Sequence, residues 1–298
     1  MIPRIDVQKL ISRDADTLAA LRDGAQGVGF LTVHNTNISS ARMRLVLAAY
    51  RAFFDLSDAE KSKIDMSLTG SNRGWGGAQS EQVDPSANPD YKQVFDSGFE
   101  APDTGLSVYA SNLWPARPEG FQQIIEAYYR DALEVAHAIL RGIAEAIGED
   151  PAFFEDKFSR PMALLRGNYY PPRPDWAGEK DFGIAAHTDY GCLTLLGTDG
   201  VPGLEVLLPD QSWLAVTAQP GEFIINFGEM LEMWTDGQIK ATLHRVRGSQ
   251  DERISVPLFF NPNFETNVAP KNAEQAITAG DHLSKRFNET YVHLQKAG

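Results

Sequence analysis

The spacing of hydrophobic residues changes character along this chain. Before residue 160, apolar positions recur at helical intervals over 39–56 and over 121–148, and the second segment is the stronger of the two. The segment 27–36 has the pattern of a strand, and Ser57 with Glu60 three residues later predicts the capping box of another helix. We therefore expect an N-terminal part that mixes helices and strands.

After residue 160 the pattern becomes a series of short β-rich runs separated by Gly, Pro, Asp and Asn. These runs are MALLRGNYY, GCLTLLGT, LEVLLP, SWLAVTA, EFIINFG, ATLHRVRG and RISVPLFFNP. Several short strands at this spacing predict a sandwich or a barrel. The last segment, 278–295, returns to a helical pattern and is expected to pack on the outside. Two stretches rich in turn-forming residues, 69–88 and 101–120, predict long loops.

Composition narrows the possible partners. The 298 residues are 43% hydrophobic and include 16 Phe, which is enough for a large core and one catalytic unit with extensions. The formal charge of −13 repels nucleic acid and anionic membranes, so neither is an expected partner. One cysteine, Cys192, and an opening without the apolar core of a signal peptide predict a reducing, cytoplasmic setting.

The run GIAAHTDYGCLTLLG, 183–197, interrupts a strand-like pattern with two potential metal ligands. On an extended backbone, residues two apart share a face, so His187 and Asp189 are expected to project together. Such a pair can also be a surface hydrogen bond, and a metal site requires a third ligand.

His244 is the candidate third ligand. It lies in a β-rich run 55 residues after Asp189, a separation that lets the chain return to the same sheet. His187, Asp189 and His244 make the two-histidine, one-carboxylate set that holds Fe(II) in a facial arrangement, although zinc accepts the same ligands. The other four histidines are expected to be ordinary: His34, His137, His282 and His293.

Arg253 and Ser255 share one face of the run RISVPLFFNP. A guanidinium and a hydroxyl together suit a carboxylate, because Arg donates two parallel hydrogen bonds and Ser adds a third. The alternative is a salt bridge on a solvated strand. The apolar neighbours indicate burial instead, and a buried Arg requires an anionic partner such as a bound organic acid.

These motifs resemble the iron and 2-oxoglutarate dependent oxygenases of the isopenicillin N synthase-like group. The group's pattern of His-x-Asp, a distal His and Arg-x-Ser is present as HTD at 187–189, HRV at 244–246 and RIS at 253–255. Further matches in order are GFLTVHN, NRGWGG, DYKQVFDSGFE, NYYPP, VPGLEV, NFGEMLEMWTDGQIKATLHRV and TAGDHL. The resemblance implies an α+β fold whose core is a double-stranded β-helix, or jelly roll, flanked by N-terminal and C-terminal helices.

The resemblance also implies how the chain is divided. Residues 1–118 correspond to an N-terminal non-haem dioxygenase region that supplies substrate-side loops. Residues 119–298 contain a support helix, the jelly-roll core at about 160–265 and the C-terminal helix.

The cofactors implied by the resemblance are Fe(II), 2-oxoglutarate as co-substrate and O2. His187, Asp189 and His244 would be the metal ligands, and the far carboxylate of 2-oxoglutarate would meet Arg253 and Ser255. Asn168 and Tyr170 become candidates for contacting the co-substrate, with strand packing as their alternative role. The expected reaction oxidises a C–H bond of a small molecule, by default through hydroxylation, and releases succinate and CO2.

Two other functions fit the same motifs. The first is an iron oxidase that uses no 2-oxoglutarate, as isopenicillin N synthase itself does, and the second is a non-catalytic metal-binding jelly roll. The glycine-rich stretch GSNRGWGGAQSE, 70–81, is likewise either a solvated connection or a cover for the mouth of the jelly roll. In the second case Arg73 would recognise an anionic group of the primary substrate and Trp75 would line its pocket.

Overall fold

The computed structural model describes residues 2–78, 92–172 and 183–290, with backbone only for 287–290. In chain order, its strands and α-helices are β1 (Arg4–Asp6), α1 (Val7–Ile11), α2 (Ala15–Gln26), β2 (Phe30–His34), α3 (Ser40–Phe54), α4 (Asp58–Lys61), β3 (Gly74–Gly76), β4 (Gln93–Gly98), α5 (Phe121–Ala146), β5 (Leu164–Tyr170), β6 (Ile184–His187), β7 (Leu193–Thr198), β8 (Leu204–Leu207), β9 (Trp213–Ala215), β10 (Phe223–Phe227), α6 (Glu229–Trp234), β11 (His244–Val246), β12 (Arg253–Phe260) and α7 (Ala279–Thr290).

The strands form two sheets. The large sheet has the order β1-β2-β10-β7-β12-β5-β4-β3, and the small sheet has the order β6-β11-β8-β9. Neighbouring strands pair antiparallel, apart from the parallel pair β1 and β2. Each β-rich run identified after residue 160 contains one of these strands. Two antiparallel sheets with flanking helices are the architecture of the expected jelly-roll core.

Successive side chains of β10 point alternately toward the small sheet and toward the helices. Ile224 belongs to a small cluster that includes Leu204 and Val206 of β8, so this face of the large sheet packs on the small sheet. Phe223 and Ile225 point the other way, into the main hydrophobic cluster that the helices cover.

Helices α3 and α5 cover the outer face of the large sheet. The α5 helix buries side chains at helical spacing, among them Ile125, Tyr128 and Ile139, which are not accessible to solvent. The α3 helix begins where the Ser39 hydroxyl accepts a hydrogen bond from the Arg42 backbone N–H at 3.1 Å. Both helices confirm the segments 39–56 and 121–148 as helical.

The predicted capping box at Ser57 is wrong in its hydrogen bonding. Ser57 is the N-cap of α4, but its hydroxyl donates to the Glu60 carboxylate at 3.0 Å and makes no bond to the helix backbone. The helix itself has only four residues. The two side chains therefore bond to each other, and the Ser57 hydroxyl accepts no hydrogen bond from a backbone N–H of the first turn.

The predicted loop 69–88 contains a buried strand, β3. Gly74 has φ of +103°, and a Cβ there would collide with the backbone carbonyl of Ile64, so a glycine is required. Glycines thus allow close backbone packing here, whereas the sequence pattern suggested turns. Residues 79–88 of the predicted loop lie outside the described residues.

The C-terminal helix is present as α7, and the remainder of the segment predicted to be helical, including His293, lies outside the described residues. The division of the chain at residue 118 stays a prediction. The N-terminal region contributes β1 to β4 to the same large sheet as the core strands, at both of its edges. In the part of the chain that the structure describes, no helix is long and apolar enough to cross a membrane.

Candidate active site

Strands β6 and β11 bring the three candidate ligands together. Their antiparallel register places His187 opposite His244, with 4.3 Å between the ring centroids. Asp189 Oδ1 lies 3.8 Å from His187 Nε2 and 3.7 Å from His244 Nε2. Among the described residues, these three form the group of side chains that could hold a metal ion, with ligand atoms within 4.8 Å of one another.

Asp189 lies just beyond the end of its strand. Strand β6 ends at His187, and Thr188 and Asp189 begin the turn 188–192 that leads to β7. The side chains of His187 and Asp189 point toward each other, as their spacing of two residues predicts.

Each ligand side chain has one atom occupied by the protein and one atom left for a metal. The Nδ1 atoms of His187 and His244 lie 2.7 Å and 3.0 Å from the backbone carbonyls of Ala185 and Thr242. A carbonyl accepts only, so Nδ1 carries the proton and the Nε2 lone pair faces Asp189. This arrangement is the tautomer that a metal-binding imidazole requires.

Asp189 is held in the same manner. Its Oδ2 accepts hydrogen bonds from Thr194 Oγ1 at 2.5 Å and from Asn226 Nδ2 at 2.7 Å. These two donors fix the plane of the carboxylate and leave Oδ1 directed at the imidazoles. Two Nε2 atoms and one carboxylate oxygen fit Fe(II) as the resemblance requires, and the donor set alone also fits zinc.

The protonation states favour a divalent cation. Burial, followed by the neighbouring His244, lowers the pKa of His187 to about 4, so this imidazole is neutral at pH 7. Burial alone would raise the pKa of Asp189, but the two imidazoles and the bonds from Thr194 and Asn226 hold that pKa below its usual value. A neutral imidazole and an ionised carboxylate are the forms that bind metal.

Arg253, at the start of β12, is buried and incompletely paired. Only 3% of the residue is exposed, its Nε donates to the Val201 carbonyl at 3.2 Å, and its guanidinium carbon lies 5.1 Å from the centroid of the Tyr170 ring. Its Nη1 is buried without a hydrogen-bond partner among the described residues. A buried guanidinium with an unsatisfied donor fits an anionic ligand.

Ser255 and Asn168 face each other across strands β12 and β5. Asn168 Nδ2 donates to Ser255 Oγ at 3.3 Å, and both side chains are buried. The Asn168 Oδ1 atom is also buried without a partner in the described part of the chain. The structure thus brings the four predicted co-substrate residues to one patch, where Tyr170 additionally packs against the small sheet.

A cavity of about 160 Å³ lies beside the candidate metal ligands. Its wall includes His187 and Asp189, and Asn168 connects it to the patch around Ser255. The wall also includes the apolar residues Ile184, Met162, Phe259 and Leu283 and the cationic residues Arg73, Lys92 and Arg166. The cavity therefore offers space for an organic molecule next to the ligand atoms.

Of the two residues predicted in the glycine-rich stretch, the structure brings Arg73 to this wall. Arg73 is 2% exposed, and its Nη atoms donate to the backbone carbonyls of Asn72 and Val108, at 2.8 Å and 2.7 Å, and to Phe99 at 3.2 Å. Trp75 is not among the described residues that line the cavity. Its indole N–H donates to Gln93 Oε1 at 3.0 Å within the core.

Sequence reasoning missed the polar residues that support the site. Arg166 forms a buried two-bond ion pair with Asp96, with distances of 2.8 Å and 2.7 Å. The available signal was a single Arg inside the apolar run MALLRGNYY, the same signal that identified Arg253. Thr194 and Asn226 are likewise polar interruptions of apolar strands, but the sequence does not indicate that both of them bond to Asp189.

Comparisons with known proteins match both parts of the chain. Residues 161–262 match the model of the 2OG-Fe(II) oxygenase superfamily. Residues 2–117 match the model described as the non-haem dioxygenase in morphine synthesis N-terminal. The first of these matches contains Asp189, both candidate histidine ligands and the whole Arg-x-Ser motif.

Similarity to individual proteins extends over nearly the full length. A homoarginine-6-hydroxylase of Oryza sativa is 32% identical, over 98% of this chain and 98% of its own. A 2-oxoglutarate-dependent dioxygenase of Aspergillus niger is 30% identical, over 97% of this chain and 94% of its own. The crystal structure of a full-length Neurospora crassa protein in complex with alpha-KG and thymine superposes with a TM-score of 0.86 at 25% identity, covering 97% of this chain and 96% of that one.

Proposed function

Since the chain belongs to the 2OG-Fe(II) oxygenase superfamily and is an iron- and 2-oxoglutarate-dependent dioxygenase, we propose that His187, Asp189 and His244 are its iron ligands. The observation that carries this proposal is the convergence of two Nε2 atoms and one carboxylate oxygen, each fixed by a hydrogen bond to the opposite atom of its side chain. Such orientation from outside the ligand set is typical of metal centres.

We propose that Arg253 and Ser255 bind the far carboxylate of 2-oxoglutarate. The buried, unpaired Nη1 of Arg253 supports this role, because a carboxylate would satisfy it with a charge-assisted hydrogen bond. The aromatic ring of Tyr170 packs against one side of the Arg253 guanidinium. Asn168, whose Oδ1 is also unpaired, lies between this patch and the cavity and is proposed to contact the co-substrate.

Fe(II) with 2-oxoglutarate and O2 supplies the oxidising power for C–H bond attack, with succinate and CO2 as products. The contribution of this chain is placement. The apolar wall residues exclude water, and the shape of the cavity selects which carbon of the substrate approaches the ligand atoms. We propose hydroxylation as the outcome.

We propose that the primary substrate is a small molecule that occupies the cavity beside His187, and the Neurospora crassa structure in complex with thymine supports this. Arg73 lies in the wall of this cavity, and its recognition of an anionic group of the substrate stays a prediction. The charge of −13 supports the further proposal that neither nucleic acid nor an anionic membrane is a partner. The single cysteine supports a cytoplasmic location, likewise as a proposal.

A screen of small metabolites for stimulated succinate release tests the proposed function. The enzyme is reconstituted with Fe(II), 2-oxoglutarate and ascorbate, and succinate is quantified with and without each compound. A true substrate raises succinate release and yields a product heavier by one oxygen atom, while the Asp189→Ala variant does neither. Wild-type protein that turns over no 2-oxoglutarate with any compound and shows no iron binding would contradict the proposal.

A further inference from the structure

The turn that carries Asp189 is bonded to the first residues of α6. Thr188, which lies between His187 and Asp189, donates its hydroxyl to Glu229 Oε1 at 2.5 Å. The backbone N–H of Glu229 donates to the Asp189 carbonyl at 2.8 Å. One residue, Glu229, therefore holds this turn at two places: its carboxylate accepts from the Thr188 hydroxyl, and its backbone N–H donates to the Asp189 carbonyl.

The other carboxylate oxygen of Glu229 is bound by the C-terminal helix. Arg286 of α7 donates from Nη2 to Glu229 Oε2, and its guanidinium carbon lies 5.5 Å from the centroid of the Tyr190 ring. His282, one turn earlier in α7, places Nε2 at 3.0 Å from the Tyr190 carbonyl. Helix α7 thus contacts the ligand-bearing turn at two points, and its Leu283 forms part of the cavity wall.

The start of α6 packs closely against the turn. A Cβ on Gly228, the residue before Glu229, would lie 2.6 Å from the Asp189 carbonyl oxygen and would also collide with that of Gly191. The backbone beside Glu229 is therefore in direct contact with the turn that carries Asp189.

We propose that Glu229 is a positioning residue for Asp189, and that its ion pair with Arg286 makes the docking of α7 part of the metal site. This inference rests on the proposed role of Asp189 as an iron ligand. Glu229 contacts no reacting atom. It acts by holding the turn 188–191 in the conformation that directs Asp189 Oδ1 at the two imidazoles.

The ion pair is partly exposed, with 37% of the Arg286 side chain and 26% of the Glu229 side chain accessible to solvent. A pair with this exposure contributes little to global stability. If the pair is only structural, breaking it should lower the stability of the fold slightly and leave Fe(II) affinity unchanged. If the pair positions Asp189, breaking it should weaken Fe(II) binding by more than this small loss of stability. The two roles are therefore distinguishable by experiment.

The test is an anaerobic titration of the metal-free, full-length protein with Fe(II), which reports affinity without turnover. We expect Glu229→Ala and Arg286→Met each to raise the dissociation constant for Fe(II) about tenfold, at the lower end of the effects seen for residues supporting metal ligands. The double variant should lose no more than the larger single effect, because both changes break one connection. Glu229→Gln, which retains the bond to Thr188, should lose less than Glu229→Ala.

Arg42→Met is the matched control, because Arg42 and Asp131 form an ion pair of similar exposure, 34% and 33%, between α3 and α5. Its Fe(II) affinity should stay within twofold of wild type. Hydrogen exchange of the metal-free proteins gives a second readout, in which Glu229→Ala should speed exchange in residues 188–192 and leave β10 unchanged. Wild-type Fe(II) affinity in both Glu229→Ala and Arg286→Met would overturn the inference, and so would additive losses in the double variant. Absence of iron binding by the wild type would instead refute the proposed function.

Discussion

The metal end and the co-substrate end of the site are built in opposite ways. At the metal end, Asp189 and both imidazoles have their outward atoms bonded to the protein, so the inward atoms are already directed. At the co-substrate end, Arg253 Nη1 and Asn168 Oδ1 are buried and lack partners among the described residues. One end is complete in the protein alone, and the other requires a ligand to satisfy it.

This difference has an energetic consequence. A buried polar atom without a partner costs roughly 1–3 kcal/mol, and a ligand that pairs with it recovers part of this cost as binding affinity. Fe(II) affinity should therefore depend on the residues that orient the metal-binding side chains. Affinity for 2-oxoglutarate should depend on the residues that contact it directly.

The largest effect is expected from removing a metal ligand. Asp189→Ala, His187→Ala and His244→Ala should each abolish Fe(II)-dependent succinate formation and leave the fold intact, because no other described His, Cys, Asp or Glu belongs to this group. Turnover is measured at limiting iron, and circular dichroism checks the fold. Asp210→Ala, which removes an exposed carboxylate that accepts hydrogen bonds from Ser212 in a surface turn, is the control. Wild-type turnover in any one of the three would exclude that residue as a ligand.

Arg253→Leu should weaken 2-oxoglutarate binding and spare the metal. Loss of one member of a buried charged pair costs about 2–5 kcal/mol, which corresponds to roughly thirty-fold to several thousand-fold in the dissociation constant. Anaerobic titration of the Fe(II)-loaded protein with 2-oxoglutarate measures this dissociation constant. Arg247→Leu, whose side chain is 53% exposed, serves as the control with unchanged affinity. An unchanged dissociation constant in Arg253→Leu would mean that the far carboxylate is bound elsewhere.

Thr194→Val should weaken iron binding by about tenfold to a hundredfold, because it removes one of the two donors that orient Asp189. The matched change on the same strand is Thr198→Val. Thr198 is equally buried but donates to the Ala218 carbonyl, away from the metal ligands, so its loss should not alter iron affinity. Competition with a coloured chelator measures both variants. Equal effects of the two changes would show that the supports of Asp189 do not control the metal.

The smallest effect is expected at the cavity wall. Arg73→Lys keeps the positive charge but loses the planar contacts to three carbonyls, so it should raise the KM of the primary substrate a few-fold and uncouple succinate from product. The dissociation constant of 2-oxoglutarate should not change. Product and succinate are quantified together. Full coupling with an unchanged KM would show that the stretch 70–78 only connects elements.

The sequence predicts the strands of the core and singles out three candidate ligands that the structure brings together, for a physical reason. Buried strands leave long apolar runs, and a polar residue inside such a run, as with His244 or Arg253, is costly unless it has a partner. Those residues were therefore conspicuous. The same reasoning, applied to Arg166, indicates a buried anionic partner, which the structure shows to be Asp96.

The remaining features depend on contacts that no local pattern encodes. Asp189 is oriented by Thr194 and by Asn226, which lies 37 residues away, and Glu229 meets Arg286 across 57 residues of chain. Strand β3 was hidden because glycines serve both turns and close backbone packing, and only the neighbouring Ile64 carbonyl distinguishes the two uses. The stretch around Trp75 has no packing pattern, so the sequence offered a solvated connection or a pocket lining, whereas the structure places Trp75 in the core.

The most direct test of the central claim is an anaerobic titration of the metal-free protein with Fe(II) in the presence of excess 2-oxoglutarate. Chelation of Fe(II) by 2-oxoglutarate gives a visible charge-transfer band. We expect this band to saturate at one equivalent of iron in the wild type, to be absent in Asp189→Ala, and to form in Arg253→Leu only at much higher 2-oxoglutarate concentrations. A wild type without the band, or an Asp189→Ala variant with the wild-type band, would show that Asp189 and its two histidine neighbours do not hold the iron.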